Sequence, residues 1–114
     1  MSTSERIVIV GGSGYLGRVL AAALAADSVP VTVVSRHLPP PLAGVDYVAW
    51  DGGETANGDW ARTLDGAAAV VNLSGRSVNC RYNAANRQQI FDSRLRSTRA
   101  VGEAIACAAA PPPV

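Results

Sequence analysis

The hydrophobic pattern of the chain consists of short apolar runs separated by longer amphipathic segments. Residues 6–10, 31–34 and 67–73 are almost continuously apolar, and residues 45–51 alternate apolar and polar side chains. Unbroken β-branched runs are typical of strands buried on both faces of a parallel sheet, whereas alternation is typical of a strand with one exposed face. The pattern therefore predicts four strands.

Three helices are predicted between and after these strands. Residues 14–26 carry apolar side chains at helical spacing, namely Leu16, Val19, Leu20, Ala23 and Leu24. Asp59 is a plausible N-cap for a short helix over residues 59–64, which Gly66 ends. Residues 83–109 read as one long helix, whose expected inward positions are Ile90, Leu95, Thr98, Val101 and Ile105.

The alternation of strands and helices predicts an α/β fold. The crossover of the first β-α-β unit should be right-handed. The expected architecture is a Rossmann-type parallel sheet with strand order 3-2-1-4, as in that class of fold, and helices on both faces. The sheet is expected to be incomplete, because no fifth strand follows the last helix within the 114 residues. Its strand 4 would then present an unpaired edge, so self-association through that edge is possible.

A glycine-rich turn joins the first strand to the first helix. It consists of Gly11, Gly12, Ser13, Gly14, Tyr15, Leu16 and Gly17. The glycines satisfy G-x-G-x-x-G and equally G-x-x-G-x-x-G, the variant used by short-chain dehydrogenases. In either reading the turn brings bare backbone and the N-terminus of a helix to a pyrophosphate. Because a strand precedes the turn and a helix follows it, we expect dinucleotide binding, although a purely structural turn is the alternative.

The residues after the second strand indicate which dinucleotide is preferred. An NAD site places a carboxylate there to accept hydrogen bonds from the ribose hydroxyls. This chain has Ser35 and Arg36 instead, and an arginine can pair with the 2′-phosphate of NADP. The sequence therefore favours NADP, with NAD less favoured; a solvated arginine at a strand end is the alternative.

Two further strand ends are candidate cofactor contacts. The fourth strand ends in the small residues Asn-Leu-Ser-Gly at positions 72–75, where a nicotinamide ribose could lie against backbone. An ordinary strand-to-helix turn explains the same residues. Trp50 ends the third strand, where it could contact the adenine or pack in the core.

Composition narrows the function classes. A net charge of +1 provides no basic field for nucleic acid, and no apolar segment approaches the ~20 residues that span a bilayer. With a polar start, the chain is expected to be cytoplasmic. Cys80 and Cys107 are too few for a disulfide framework or a zinc site, and no metal site is expected. No Gly-Lys-Ser/Thr follows the glycines, which argues against a nucleotide-triphosphate P-loop.

These motifs, together with the segment Asp-Ser-Arg-Leu-Arg-Ser-Thr-Arg at positions 92–99, resemble the extended short-chain dehydrogenase superfamily. More narrowly, the chain looks like NAD(P)-dependent epimerase/dehydratase-like proteins that carry a C-terminal domain of unknown function. The resemblance implies a phosphate loop from Gly11 to Gly17 and a 2′-phosphate contact at Ser35 and Arg36. It also implies cofactor contacts at Leu73, Ser74, Gln89 and Arg94.

The chain departs from this superfamily in its catalytic residues. Such enzymes use a tyrosine with a lysine four positions on, and this chain has ten arginines but no lysine. Residues 1–114 are therefore expected to be the N-terminal NAD(P)-binding Rossmann half-domain of an epimerase/dehydratase-like oxidoreductase, truncated before its catalytic residues. The alternative is a non-catalytic nucleotide-binding or interaction module.

Overall fold

The computed structural model describes residues 5–11, 14–36, 38, 41–50, 59–74 and 83–114. Seven elements occur in these ranges, and strands and helices alternate along most of the chain. They are β1 (Ile7–Val10), α1 (Tyr15–Ala26), β2 (Val31–Ser35), β3 (Val45–Ala49), α2 (Asp59–Arg62), β4 (Ala69–Asn72) and α3 (Ala84–Ala106).

The four strands form one parallel sheet in the order β3-β2-β1-β4. This confirms the predicted order and the Rossmann-type architecture. Val10 lies level with Val34 on one side and with Asn72 on the other. The carboxyl ends of β1, β2 and β4 therefore lie together at one edge of the sheet, where ligands bind in open parallel sheets.

Each face of the sheet carries its own hydrophobic core. Ile9, Val31 and Val33 pack with Ala21 of α1 on one face, whereas Val8, Val10 and Val34 pack with α2 and α3 on the other. Side chains of successive strand residues point to opposite faces, so the unbroken apolar runs serve both layers. Each fully buried valine or isoleucine contributes about 1.5–3 kcal/mol relative to exposure.

Two tryptophans, Trp50 just after β3 and Trp60 in α2, pack together in one of the two cores. Trp50 and Trp60 are both buried and stack with ring centroids 4.3 Å apart and planes inclined by 21°. They belong to the same core as Leu64 and the small α3 residues Ala100 and Ala104. Two roles were considered for Trp50, contact with the adenine and packing in the core. The structure bears out core packing, since the residue is 7% exposed.

Both long helices bury mainly small residues against the sheet. α1 buries Gly17 and Ala21, and α3 buries Ser97, Ala100, Val101 and Ala104. Small side chains allow a helix to lie close against a sheet. Of the expected inward positions of α3, Val101 is buried and Ile90 and Ile105 are partly buried, whereas Leu95 and Thr98 are exposed. For Leu95 and Thr98 the prediction is wrong, because apolar periodicity alone does not reveal which of two adjacent stripes packs.

After α3 the chain returns along β4. Ala110 donates its N–H to Asp65 Oδ1 at 2.8 Å and accepts from the Gly66 N–H at 2.8 Å. Farther along, the Val70 N–H donates to the Val114 carbonyl at 2.9 Å. The edge of β4 that was expected to be unpaired is thus partly covered by residues 110–114.

Candidate functional site

The glycine turn begins at the end of β1 and is tied directly to β2. Gly11 has φ +79°, a conformation that favours glycine, and its N–H donates to the Val34 carbonyl at 2.6 Å. Gly12 and Ser13 lie outside the described residues. The turn therefore starts at the carboxyl edge of the sheet, between β2 and β4.

The end of β4 approaches Gly11 so closely that no side chain fits there. A Cβ atom on Gly11 would lie 2.5 Å from both the Cα and the N of Ser74 and 2.9 Å from the carbonyl carbon of Leu73. The Leu73 N–H in turn donates to the Val10 carbonyl at 2.7 Å. Backbone of the predicted cofactor residues Leu73 and Ser74 thus packs on the first glycine of the turn.

Asn72 is hydrogen-bonded to Ser74 at the end of β4. Its Oδ1 accepts a hydrogen bond from the Ser74 backbone N–H at 3.1 Å and another from the Ser74 hydroxyl. Side-chain oxygens of asparagine that bond two residues ahead form compact local turns. From the sequence, Asn72 was expected only as a small strand-end residue, and the asparagine-x-serine spacing was the available signal for its hydrogen bonds to Ser74.

The N-terminus of α1 is open to an anion. Gly14 is the N-cap residue and forms no side-chain cap hydrogen bond, and the first turn contains no acidic residue. Among the residues that the structure describes, a Cβ atom added to Gly14 would meet no atom within 4 Å. Free backbone N–H groups and the positive end of the helix dipole bind phosphate at such positions. These features of α1 fit the pyrophosphate of a dinucleotide.

The remaining positions of the glycine motif divide between surface and core. Tyr15 is 76% exposed and Leu16 is 68% exposed, whereas Gly17 is buried against the sheet. Gly17 therefore has the packing position expected of the third glycine.

The pair Ser35 and Arg36 lies beside the glycine turn, at the end of β2. Ser35 is only 2% exposed, and its carbonyl accepts the Trp50 N–H at 3.1 Å. Arg36 follows in a bend and is exposed. The arginine is therefore the accessible member of the pair for a phosphate group at this edge.

Gln89 and Arg94 were both predicted as cofactor contacts on α3, and both are exposed. They are five positions apart in sequence, which places them about 140° apart around an α-helix. Arg94 borders a surface groove together with Phe91 and Leu95. The described contacts do not join either residue to the glycine turn, and their cofactor role stays a prediction.

The described parts of the chain contain no candidate metal site and no candidate membrane-spanning helix. No three His, Cys, Asp or Glu side chains lie close enough there to hold a metal ion. None of the helices described has the length and hydropathy required of a membrane span.

Comparison with known proteins gives consistent matches. Residues 7–111 match the model of the NAD dependent epimerase/dehydratase family. The bovine epimerase family protein SDR39U1 is 34% identical over 110 residues, which are 94% of this chain and 34% of the relative. A dTDP-6-deoxy-L-talose 4-dehydrogenase (NAD(P)(+)) of Kitasatospora kifunensis is 31% identical over 111 residues, 93% of this chain and 32% of the relative.

Among solved structures, human epimerase family protein SDR39U1 with NADPH superposes with a TM-score of 0.72 at 34% identity. The superposition covers 94% of this chain and 34% of the human chain. The chain thus spans about a third of the length of the relatives it matches. Its parallel sheet, its glycine turn and a family match over nearly all of its residues agree, and the chain belongs to the NAD dependent epimerase/dehydratase family.

Proposed function

We propose that this chain is the NADP(H)-binding part of an epimerase/dehydratase-type oxidoreductase. The observation that carries the proposal is the exposed Arg36 at the end of β2, with no carboxylate at Ser35, beside the turn that Gly11 starts. A guanidinium at this place can bind the 2′-phosphate in a bidentate, charge-assisted manner.

Different residues at the carboxyl edge of the sheet bind different parts of the dinucleotide in this proposal. The open N-terminus of α1 binds the pyrophosphate, because Gly14 leaves room for it and presents backbone without a side-chain cap. The Leu73 and Ser74 backbone, held by Asn72 against Gly11, gives the nicotinamide half a flat surface. When bound, the cofactor accepts or donates a hydride at its nicotinamide ring.

The relatives support the dinucleotide more strongly than the choice between its two forms. The human relative was solved with NADPH, which favours NADP. The Kitasatospora relative is named as using NAD(P)(+). For this chain the preference for NADP therefore rests on Arg36.

The reaction of the whole protein is part of the proposal. The chain contains no lysine, so a tyrosine–lysine catalytic pair would have to include residues outside these 114. The substrate-binding and proton-transfer groups would then be supplied by the rest of a longer protein. A non-catalytic nucleotide-binding module is the alternative function. Cytoplasmic location stays a prediction from the sequence.

Titration of the purified chain with NADPH and with NADH tests the proposal. We expect tighter binding of NADPH, and in Arg36→Ala a loss of about tenfold or more for NADPH alone, because charged hydrogen bonds contribute about 1.5–3 kcal/mol. Arg99→Ala is the matched control, since it removes an exposed arginine on the C-terminal half of α3. Equal affinity for both dinucleotides would contradict the NADP preference, and no binding of either would contradict the cofactor role of this chain.

A further inference from the structure

The peptide group that precedes Arg36 is fixed by a hydrogen bond from the end of the neighbouring strand. β2 and β3 pair in parallel as far as Ser35 and Ala49. One position farther along, the Trp50 backbone N–H donates to the Ser35 carbonyl at 3.1 Å. That carbonyl and the backbone nitrogen of Arg36 belong to one planar peptide unit. The position of Trp50 therefore determines how the chain leaves β2 and where Arg36 begins.

The glycine turn fixes the adjacent peptide group of β2 from the other side. The Gly11 N–H donates to the Val34 carbonyl at 2.6 Å. Successive carbonyls of a strand point to opposite neighbours, so the last two carbonyls of β2 bind the glycine turn and Trp50 respectively. Arg36 is exposed directly after these two bonds. Its backbone is thus anchored both to the turn and to the residue that follows β3.

The indole ring of Trp50 is held by packing. Its Nε1 is buried and has no hydrogen-bond partner among the described residues. The ring instead stacks on that of Trp60, with the centroids 4.3 Å apart, and both residues are buried. Stacked aromatic pairs contribute more than their buried area alone. Trp60 therefore holds in place the residue whose backbone N–H binds Ser35.

Trp60 is itself tied to the rest of the fold. Its carbonyl accepts a hydrogen bond from the Thr63 hydroxyl at 2.6 Å. The Thr63 carbonyl in turn accepts from Arg6 Nη2 at 2.5 Å, which joins this part of the chain to the start of β1. Trp60 thus presents a fixed ring to the indole of Trp50.

We infer that Trp50 and Trp60 are positioning residues for the 2′-phosphate of NADP. Through the hydrogen bond to Ser35, the stacked pair holds the backbone from which the Arg36 side chain extends. A group that is already held in place loses less freedom when it binds, and so it binds more tightly. NAD has no 2′-phosphate, so its binding should depend little on the stack. The inference rests on the proposed NADP(H) binding and adds two buried residues to the determinants of cofactor choice.

Titration of Trp60→Leu with NADPH and with NADH tests the inference, because leucine keeps the position apolar and removes the stacked ring. We expect the affinity for NADPH to fall about fivefold, less than in Arg36→Ala, and the affinity for NADH to change by less than about twofold. Trp60→Phe keeps an aromatic ring and should restore most of the affinity for NADPH.

Val31→Ala is the matched control for lost stability. Val31 is buried at the start of β2 and belongs to the other core. The variant should lower the thermal midpoint and leave the ratio of the two affinities unchanged. Equal losses of NADPH and NADH affinity in Trp60→Leu, or an unchanged ratio, would overturn the inference.

A double-mutant cycle with Arg36→Ala shows whether the stack acts through the arginine. If it does, Trp60→Leu should cause no further loss of NADPH affinity in the Arg36→Ala background. A full additional loss there would overturn the inference and leave the proposed function intact. A wild-type chain that binds NADPH and NADH equally would contradict the proposed NADP preference itself, and the inference would fail with it.

Hydrogen exchange of the wild-type chain provides a test without substitutions. Coupling between two sites is reciprocal, so a bound 2′-phosphate should stabilise the hydrogen bond from Trp50 to Ser35. We expect the Trp50 amide to exchange about fivefold more slowly with saturating NADPH than with saturating NADH. The Val31 amide should exchange equally with both. Equal protection of the Trp50 amide would overturn the inference, even if Trp60→Leu failed to fold.

Discussion

Gly11 and Ser74 are in such close contact that a Cβ atom on the glycine would lie 2.5 Å from the serine Cα. The two residues are 63 positions apart and follow the ends of the two neighbouring strands β1 and β4. The first glycine of the turn is therefore required by the packing of the protein itself, in addition to any ligand. This separates its role from that of Gly14, which has open space around it.

Gly11→Ala should lower the free energy of unfolding by about 2–5 kcal/mol. The estimate combines an alanine at positive φ, about 1–2 kcal/mol, with overpacking against backbone that cannot move aside, about 1–3 kcal/mol. Urea unfolding followed by circular dichroism measures the change. An Ala variant as stable as the wild type would show that Ser74 moves freely and that the contact is unimportant.

Gly14→Ala should leave the fold intact and weaken NADPH binding by at least tenfold. Gly14 has φ −78°, which alanine adopts without strain, and the added methyl group meets no protein atom. We expect a stability loss of no more than about 1 kcal/mol from the changed N-cap. The methyl group would instead occupy the space assigned to the pyrophosphate. Calorimetric titration with NADPH, beside a thermal melt of the same sample, separates the two effects; unchanged affinity would argue against a phosphate at this helix end.

Arg6 ties the start of β1 to the turn after α2. Its guanidinium Nη2 donates to the Thr63 carbonyl at 2.5 Å and to the Asp65 carbonyl at 3.2 Å. The same turn holds Ala110 through Asp65 and Gly66. One side chain thereby links the sheet, the end of α2 and the returning C-terminal residues.

Arg6→Met should lower the free energy of unfolding by about 1–3 kcal/mol, because hydrogen bonds from a charged donor to two carbonyls are lost while the apolar stem is kept. Arg18→Met is the control, since Arg18 is exposed on α1. Chemical denaturation of both variants measures the difference. If both lose the same stability, the contacts to Thr63 and Asp65 contribute nothing specific.

Local patterns predicted most of the architecture. The β-branched runs indicated β1, β2 and β4, and the turn glycines marked where α1 begins, because these signals depend on neighbouring residues only. The structure ends β3 at Ala49, ends α2 at Arg62 and begins β4 at Ala69, each within a few residues of the expected limits. The strand order was predicted from the Rossmann-type architecture that the glycine turn and the alternation of strands and helices indicated.

Side-chain placement was predicted less well where two apolar stripes share one helix. Leu95 and Thr98 were expected to face the sheet but are exposed, whereas Val101 is buried as expected. Ala100 and Ala104 pack beside it in the core that contains the stacked Trp50 and Trp60. That packing depends on three separate segments, and no periodicity within one helix reveals it.

The sequence by itself determined the α/β class, the strand order, the glycine turn at a helix N-terminus and the arginine after β2. Each of these depends on residue type and short spacing. Only the tertiary structure decided that Gly11 contacts Ser74, that Asn72 accepts hydrogen bonds from Ser74, and that Val70 donates a hydrogen bond to Val114. The contact of Gly11 with Ser74 and that of Val70 with Val114 join residues far apart in the chain. The hydrogen bonds of Asn72 to Ser74 are local, but they matter because Ser74 packs on Gly11. Such contacts exist only once the sheet has brought the segments together.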